Sequence, residues 1–227
     1  MPNWCSTVIK FYSENREQLE AMHKKFNEIR NGKPTVENDF KNGFMGDYAN
    51  TFLPELGHDK VECRGWVDGI DEIEHNDKYD VFTMWTETAW TAKMGMWAEI
   101  VKRFYPEVHI AYIAEECGCD YFCVWDKTKG QMFFPDTYYV DGCLPTKDGK
   151  CEFIEDRYMF SSVQEIQDYL DKTLPFEYKH KETVEELMEE VQERLDEYSE
   201  NHECDEDLYA HFSEFVEMDP AEFDLTV

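Results

Sequence analysis

Two stretches of apolar residues recur at helical spacing, and each stands between stretches that alternate. Leu19, Met22, Phe26 and Ile29 mark one face between Glu14 and Arg30, and Met94, Trp97, Ile100, Val101 and Phe104 mark another. Steps of three and four residues place such side chains on a single helical stripe that must be buried against something. Around them lie Trp4 to Tyr12, Trp66 to Ile73, Tyr79 to Thr88 and His109 to Ala114, rich in β-formers and alternating as half-buried strands do. Ser13 is the expected cap of the first helix, Asn31-Gly32 its stop, Thr91 the expected cap of the second and Pro106 its end.

The order through residue 114 is thus β-α-β-β-α-β, the split-βαβ order of a ferredoxin-like α+β sandwich with both helices on one sheet face. A domain over residues 1–135 is expected, its core built from Trp4, Phe11, Phe82, Trp97, Val101, Phe104 and Ile110. Gly32, Pro34, Gly43, Gly46, Pro54 and Gly57 make residues 32–64 read as a long loop with at most one short helical turn. Tyr121 to Trp125 and Met132 to Phe134 read as a hairpin about Asp126–Gly130, and residues 136–160 as a hairpin or loop extension with a turn at Asp148-Gly149. Beyond, residues 161–227 read as an acidic helical extension packed on that domain. Ser162-Val163-Gln164-Glu165 and Thr183-Val184-Glu185-Glu186 are capping boxes opening helices near 162–174 and 183–202, the second with an apolar stripe of Val184, Leu187, Val191, Leu195 and Tyr198.

Certain residues carry a family resemblance. Met1-Pro2-Asn3-Trp4-Cys5-Ser6, Thr86-Glu87-Thr88-Ala89-Trp90, Arg103-Phe104-Tyr105-Pro106 and Tyr112 with Glu115-Glu116-Cys117-Gly118 resemble the YubB ferredoxin-like family, over about residues 1–135. Thr91-Ala92-Lys93 departs from it where prolines are common in the family, and the acidic tail lies outside the shared part. The resemblance implies the ferredoxin-like fold and an origin in plasmids, prophages or phages, and it transfers no catalytic residue. Read physically, Trp4 and Trp90 close the sheet–helix core, with a ligand-stacking pair as the alternative.

Charge narrows the function classes. The chain of 227 residues has 22 Lys/Arg against 51 Asp/Glu, a net of −29, which argues against direct binding to nucleic acid or an anionic membrane. A content of 42% hydrophobic and 15% aromatic residues marks a folding sequence. With no run of about 18 apolar residues and an N-terminus that enters a strand directly, a cytoplasmic protein is expected. The eight cysteines, at 5, 63, 117, 119, 123, 143, 151 and 204, lack the paired spacing of a zinc knuckle, so reduced thiols and no metal are expected. No phosphate-loop, dinucleotide, zincin or nucleophile-elbow motif occurs, and Asp126–Gly130 places Lys127 and Lys129 where a calcium loop needs acceptors, so no catalytic residue and no cofactor are assigned. His109, with Tyr112 and Glu116, could line a sheet face, though a lone strand histidine is usually structural.

The acidic charge is unevenly placed. Residues 175–227 hold nineteen Asp/Glu against three Lys/Arg, a net of −16. Glu182, Glu185, Glu186, Glu189, Glu190, Glu193, Asp196, Glu197 and Glu200 lie along the last helix at roughly one negative charge per 3 Å, close to the phosphate spacing of a nucleic-acid strand. Many are like-charged i,i+4 pairs, an arrangement that costs stability. These nine are the candidate partner-binding residues, and the bland reading is a solvated helix face. The expected function is a phage or mobile-element interaction protein that inhibits a basic, nucleic-acid-binding host defence protein, of CRISPR or restriction type, by mimicking nucleic acid. The alternative is a non-catalytic small-ligand or peptide-binding module in which the 32–64 loop covers an aromatic sheet face.

Overall fold

In the computed structural model, residues 3–32, 43–55, 64–119, 121–154, 158–202 and 207–223 are described. The chain is mixed α/β and divides into two units, residues 1–134 with 216–227, and residues 135–215. In the first unit β1 (Trp4–Ser13) is followed by α1 (Arg16–Asn31), α2 (Met45–Phe52), β2 (Gly65–Ile70), β3 (Glu74–His75) and β4 (Asp80–Ala89). Then come α3 (Met94–Phe104), β5 (His109–Glu116) and β6 (Tyr121–Trp125).

Four long strands of the first unit lie side by side in the order β5, β1, β4, β2, all antiparallel, with β6 beyond β5. Strand alternation sends Cys5, Thr7, Ile9 and Phe11 to one face, and that face carries the core. Onto it pack Leu19, Met22 and Phe26 of α1 with Trp97, Ile100 and Val101 of α3. Phe11, Phe82, Trp97, Val101 and Ile110 are buried as the pattern requires. Trp4 and Phe104 are not: they are 39% and 47% exposed. Trp4 has the opposite parity from Cys5 and faces away from the helices, resting on Trp66 at 4.8 Å. Trp90 is likewise exposed and does not close the core.

Three local expectations give way to specific hydrogen bonds. Asn15, not Ser13, caps α1 by accepting from the Gln18 N–H, while Ser13 ends β1 and donates to the Glu107 carbonyl at 2.6 Å. Thr91 does not cap α3; its carbonyl accepts from the Thr88 hydroxyl at 2.8 Å, and Lys93 takes the N-cap position, where its side chain does not cap the helix. Met132 to Phe134 form no strand, because the buried Asp126 carboxylate accepts the N–H groups of Thr128, Phe133 and Phe134 and folds the segment into a loop. Of the 32–64 segment, residues 33–42 and 56–63 lie outside the described residues. Between them α2 buries Met45, Tyr48, Ala49 and Phe52, with the Tyr48 ring 5.2 Å from Trp97.

The second unit has a core of its own. It contains β7 (Tyr138–Pro145), β8 (Cys151–Phe153), β9 (Tyr158–Phe160), α4 (Val163–Thr173), α5 (Val184–Asn201) and β10 (Tyr209–Glu214). β7 pairs with β8 and β9 and with β10, and the β7–β8 turn places Gly149 at φ +80. Val140 and Leu144 of β7 pack with Ile166 and Leu170 of α4 and with Leu187, Val191 and Leu195 of α5. Residues 136–160 and the helices after them therefore form one folded body, where the sequence reads as a hairpin or loop extension followed by an acidic helical extension packed on the first domain. The chain then returns to the first unit through β11 (Val216–Glu217), which pairs in parallel with β6.

Candidate functional site

The caps read from sequence open both helices of the second unit. Ser162 accepts from the Glu165 N–H, and Thr183 accepts from the Glu186 N–H at 3.3 Å. With α5 started at Val184, Leu187, Val191 and Leu195 fall on one line and are fully buried. Each contributes about 1.5–3 kcal/mol of burial. At about 100° per residue, Glu185, Glu189, Glu193, Asp196 and Glu200 point about half a turn away from that line, flanked by Glu186 and Glu197. All seven are exposed. Glu185 to Glu200 spans about 22 Å, so carboxylates follow one another every 3–4 Å or so.

Among the described residues, the only ion pair made by these seven is Arg194 Nη1 to Glu197 Oε2, 2.7 Å. The Asp196 carboxylate also accepts from the Gln192 amide at 2.9 Å.

Two of the nine candidates do not belong to this face. Glu182 precedes the cap and lies off the helix. Glu190 is only 6% exposed and is consumed internally. Its carboxylate accepts the Lys179 N–H at 3.2 Å, sits 3.3 Å from the Lys181 ammonium and 3.3 Å from Arg194 Nε. These bonds, the Lys179 amide first, hold its pKa below the ordinary 4.5. The buried Gln167 does parallel work from α4, accepting the Lys181 N–H at 2.7 Å, so the α4–α5 connection is tied down at both edges.

In the first unit a polar group interrupts the core where β1, β5 and β6 meet. Glu116 is 4% exposed; its Oε1 accepts the Gly118 N–H at 2.9 Å, and Oε2 finds no hydrogen-bond partner among the described residues. Burial pushes the nearby Cys5 thiol up to about 12 and raises Cys123, whose Sγ donates to the Tyr121 hydroxyl at 3.2 Å. Protonated thiols are poor nucleophiles and poor metal ligands. Among the described residues no three His, Cys, Asp or Glu side chains are grouped to hold a metal ion; Cys63, Cys204 and the Cys117 side chain lie outside them. His109 is not brought together with Tyr112 and Glu116, because strand parity puts it on the other sheet face, against Tyr12 at 5.4 Å. A cleft of about 620 Å³ opens there, walled by Tyr12, Tyr79 and His109, with Glu14, Glu107 and Lys127 at its sides.

Beside the last turns of α5 lies a groove that sequence reasoning missed, with a volume of about 390 Å³. The spacing of Tyr198 and His202, one helical turn apart, was the only local sign of it. Phe176 reaches it from the connection between α4 and α5, which no periodicity marks.

Comparison of the chain with family models, with curated proteins and with solved structures finds no match. No described helix is long and apolar enough to cross a membrane.

Proposed function

We propose that this chain is a non-catalytic interaction protein that binds a basic, nucleic-acid-binding partner through the solvent face of α5 and inhibits it by occupying its nucleic-acid channel. The observation that carries the reading is the opposition of the two faces of α5: an apolar line fully committed to the core, and seven carboxylates turned to solvent with one cation among them. Like charges spaced at about one helical turn cost about 0.2–0.5 kcal/mol per pair, a cost that a basic partner would offset. Spacing of 3–4 Å or so matches a strand of phosphates, so a channel that tracks a nucleic-acid backbone would accept the face.

A ferredoxin-like reading of the first unit is supported by the β5-β1-β4-β2 neighbour order and by α1 and α3 sharing one face. Together with the YubB-like residues it favours a mobile-element origin, and hence a host defence protein of CRISPR or restriction type, encountered in the host cytoplasm, as the partner. In the alternative module residues 32–64 cover an aromatic sheet face, and of that segment α2 is described. That helix packs among Phe26 and Trp97 in the core.

The test is competition. A partner captured from host cells and loaded with its own nucleic acid should release it as the chain is added, less so as salt rises through about 0.15 M. A variant carrying Glu185→Lys, Glu186→Lys, Glu189→Lys and Glu193→Lys should fail to displace it. Displacement by that variant at unchanged affinity would overturn the reading.

A further inference from the structure

The groove beside α5 gives the acidic face something that charge alone does not, a place to grip. Its lining includes Phe176, Glu177, Tyr198, Asn201 and His202. Three of these are rings in a row: Phe176 lies 5.6 Å from Tyr198, and Tyr198 stacks on His202 at 4.0 Å with the planes 8° apart. Ring faces attract cations, and a planar guanidinium stacks on them better than an ammonium does.

The groove is also electronegative. Glu197 belongs both to it and to the acidic face, and Glu177 stands within it as well. α5 ends here with no Lys or Arg in its last turn, so no cationic side chain of its own offsets the negative end of the helix dipole. The Asn201 amide and His202 Nδ1 answer the carbonyls of Glu197 and Tyr198, at 2.7 and 3.0 Å. Arg194 is part of the lining as well, and its guanidinium is held by the Glu197 and Glu190 carboxylates at 2.7 and 3.3 Å.

We propose that this groove is the anchor site for an arginine side chain of the basic partner. The guanidinium lies against the Tyr198–His202 ring stack and donates to Glu177 and Glu197, while the neighbouring carboxylates of α5 meet the partner's other cations. The inference rests on the partner-binding reading of the acidic face and names the group that face seats. A second copy of this chain is a poor occupant, since each copy brings a net charge of −29.

The test uses the full chain and two probes, an acetylated octa-arginine amide and its octa-lysine counterpart. Tyr198→Leu keeps apolar bulk under the groove while removing the ring, and Phe176→Leu does the same on the neighbouring wall. Titration followed by backbone amide shifts should move residues 176, 198 and 201 with octa-arginine as well as the α5 face. Tyr198→Leu should weaken octa-arginine about fivefold and octa-lysine less than twofold, with circular dichroism unchanged. Equal loss for both peptides, or no loss for either in both variants, would overturn the anchor. If reversal of Glu185, Glu186, Glu189 and Glu193 abolishes peptide binding while Tyr198→Leu is neutral, the anchor fails and the acidic-face reading stands. Arginine-selective loss in Tyr198→Leu, with the reversed-charge variant binding normally, would keep the anchor and remove the acidic face.

Discussion

Glu190 and Lys181 meet across the end of the α4–α5 connection, carboxylate to ammonium at 3.3 Å, and the contact ties the strap before α5 to the helix itself. A carboxylate in the middle of an acidic run is here an internal fastener. Glu190→Gln should therefore lower the Tm at neutral pH without altering partner binding. The sign follows from its depressed pKa. A carboxylate with a lowered folded pKa adds stability above the unfolded value, and loses it as pH falls through the folded one. The difference in Tm between Glu190→Gln and the unmutated chain should close below about pH 4.5, as thermal melts across acid pH will read.

The exposed face of α5 should behave oppositely. Glu189 faces Glu185 and Glu193 one turn away on either side, and each like-charged pair costs about 0.2–0.5 kcal/mol. Glu189→Lys should raise stability by a comparable amount per pair, and added salt up to about 0.15 M should raise the Tm of the unmutated chain more than that of the variant. Urea melts at two salt concentrations would show it; a drop in stability on Glu189→Lys would contradict the solvent placement of this side chain.

Cys5 should make the fold sensitive to alkali. Its thiol keeps its proton in the folded chain up to about 12, against an ordinary value of 9.0. The unfolded chain gives the proton up first, so this contribution to stability is complete below about pH 9 and is lost as pH climbs from there towards about 12. Cys5→Ala should flatten that part of the pH profile. In native labelling with iodoacetamide, the exposed Cys119 should react while the buried Cys5, Cys123 and Cys143 resist.

Trp90 pays a backbone cost. It sits at φ +71 in the tight link from β4 to α3, with its N–H bonded to the Asn3 carbonyl at 2.9 Å and its side chain 49% exposed. A left-handed conformation disfavours a bulky side chain, whereas glycine adopts it freely. Trp90→Gly should leave the fold intact and stabilise it by up to about 1 kcal/mol, while Trp90→Val should destabilise by about as much or more. Chemical denaturation of the two variants checks this.

Where a residue's environment is set by its own neighbours, the sequence is a sufficient guide. The stripes of α1, α3 and α5 and the alternation of β1, β4 and β5 place their residues correctly, apart from Phe104 at the end of α3, because periodicity and parity are local. Trp4 was misplaced only by ignoring parity, since Cys5, Thr7, Ile9 and Phe11 already occupy the inward face. Other features depend on distant partners. Asp126 takes three N–H groups from a segment that otherwise reads as a strand. Glu190 is distinguished from Glu189 only by Lys181 and by the Lys179 amide, which arrive from outside the helix. α2 was concealed by the glycines around it, although Met45, Tyr48, Ala49 and Phe52 carry helical spacing.

The return of the chain at β11 bears on how the protein is made. Val216 and Glu217 complete the edge of β6; after them the Met218 carbonyl accepts the Tyr112 hydroxyl at 2.8 Å, and Phe223 sets its ring 6.0 Å from Tyr112. Those residues leave the ribosome after all of the second unit, whose own ends are already joined by the Phe215 N–H to Thr137 carbonyl bond at 2.9 Å. During synthesis the first unit must wait, one sheet edge open, until residues 135–215 have been translated. A nascent chain stalled anywhere in that span carries an unpaired strand that invites aggregation, so fast local folding of the second unit protects the completion of the first.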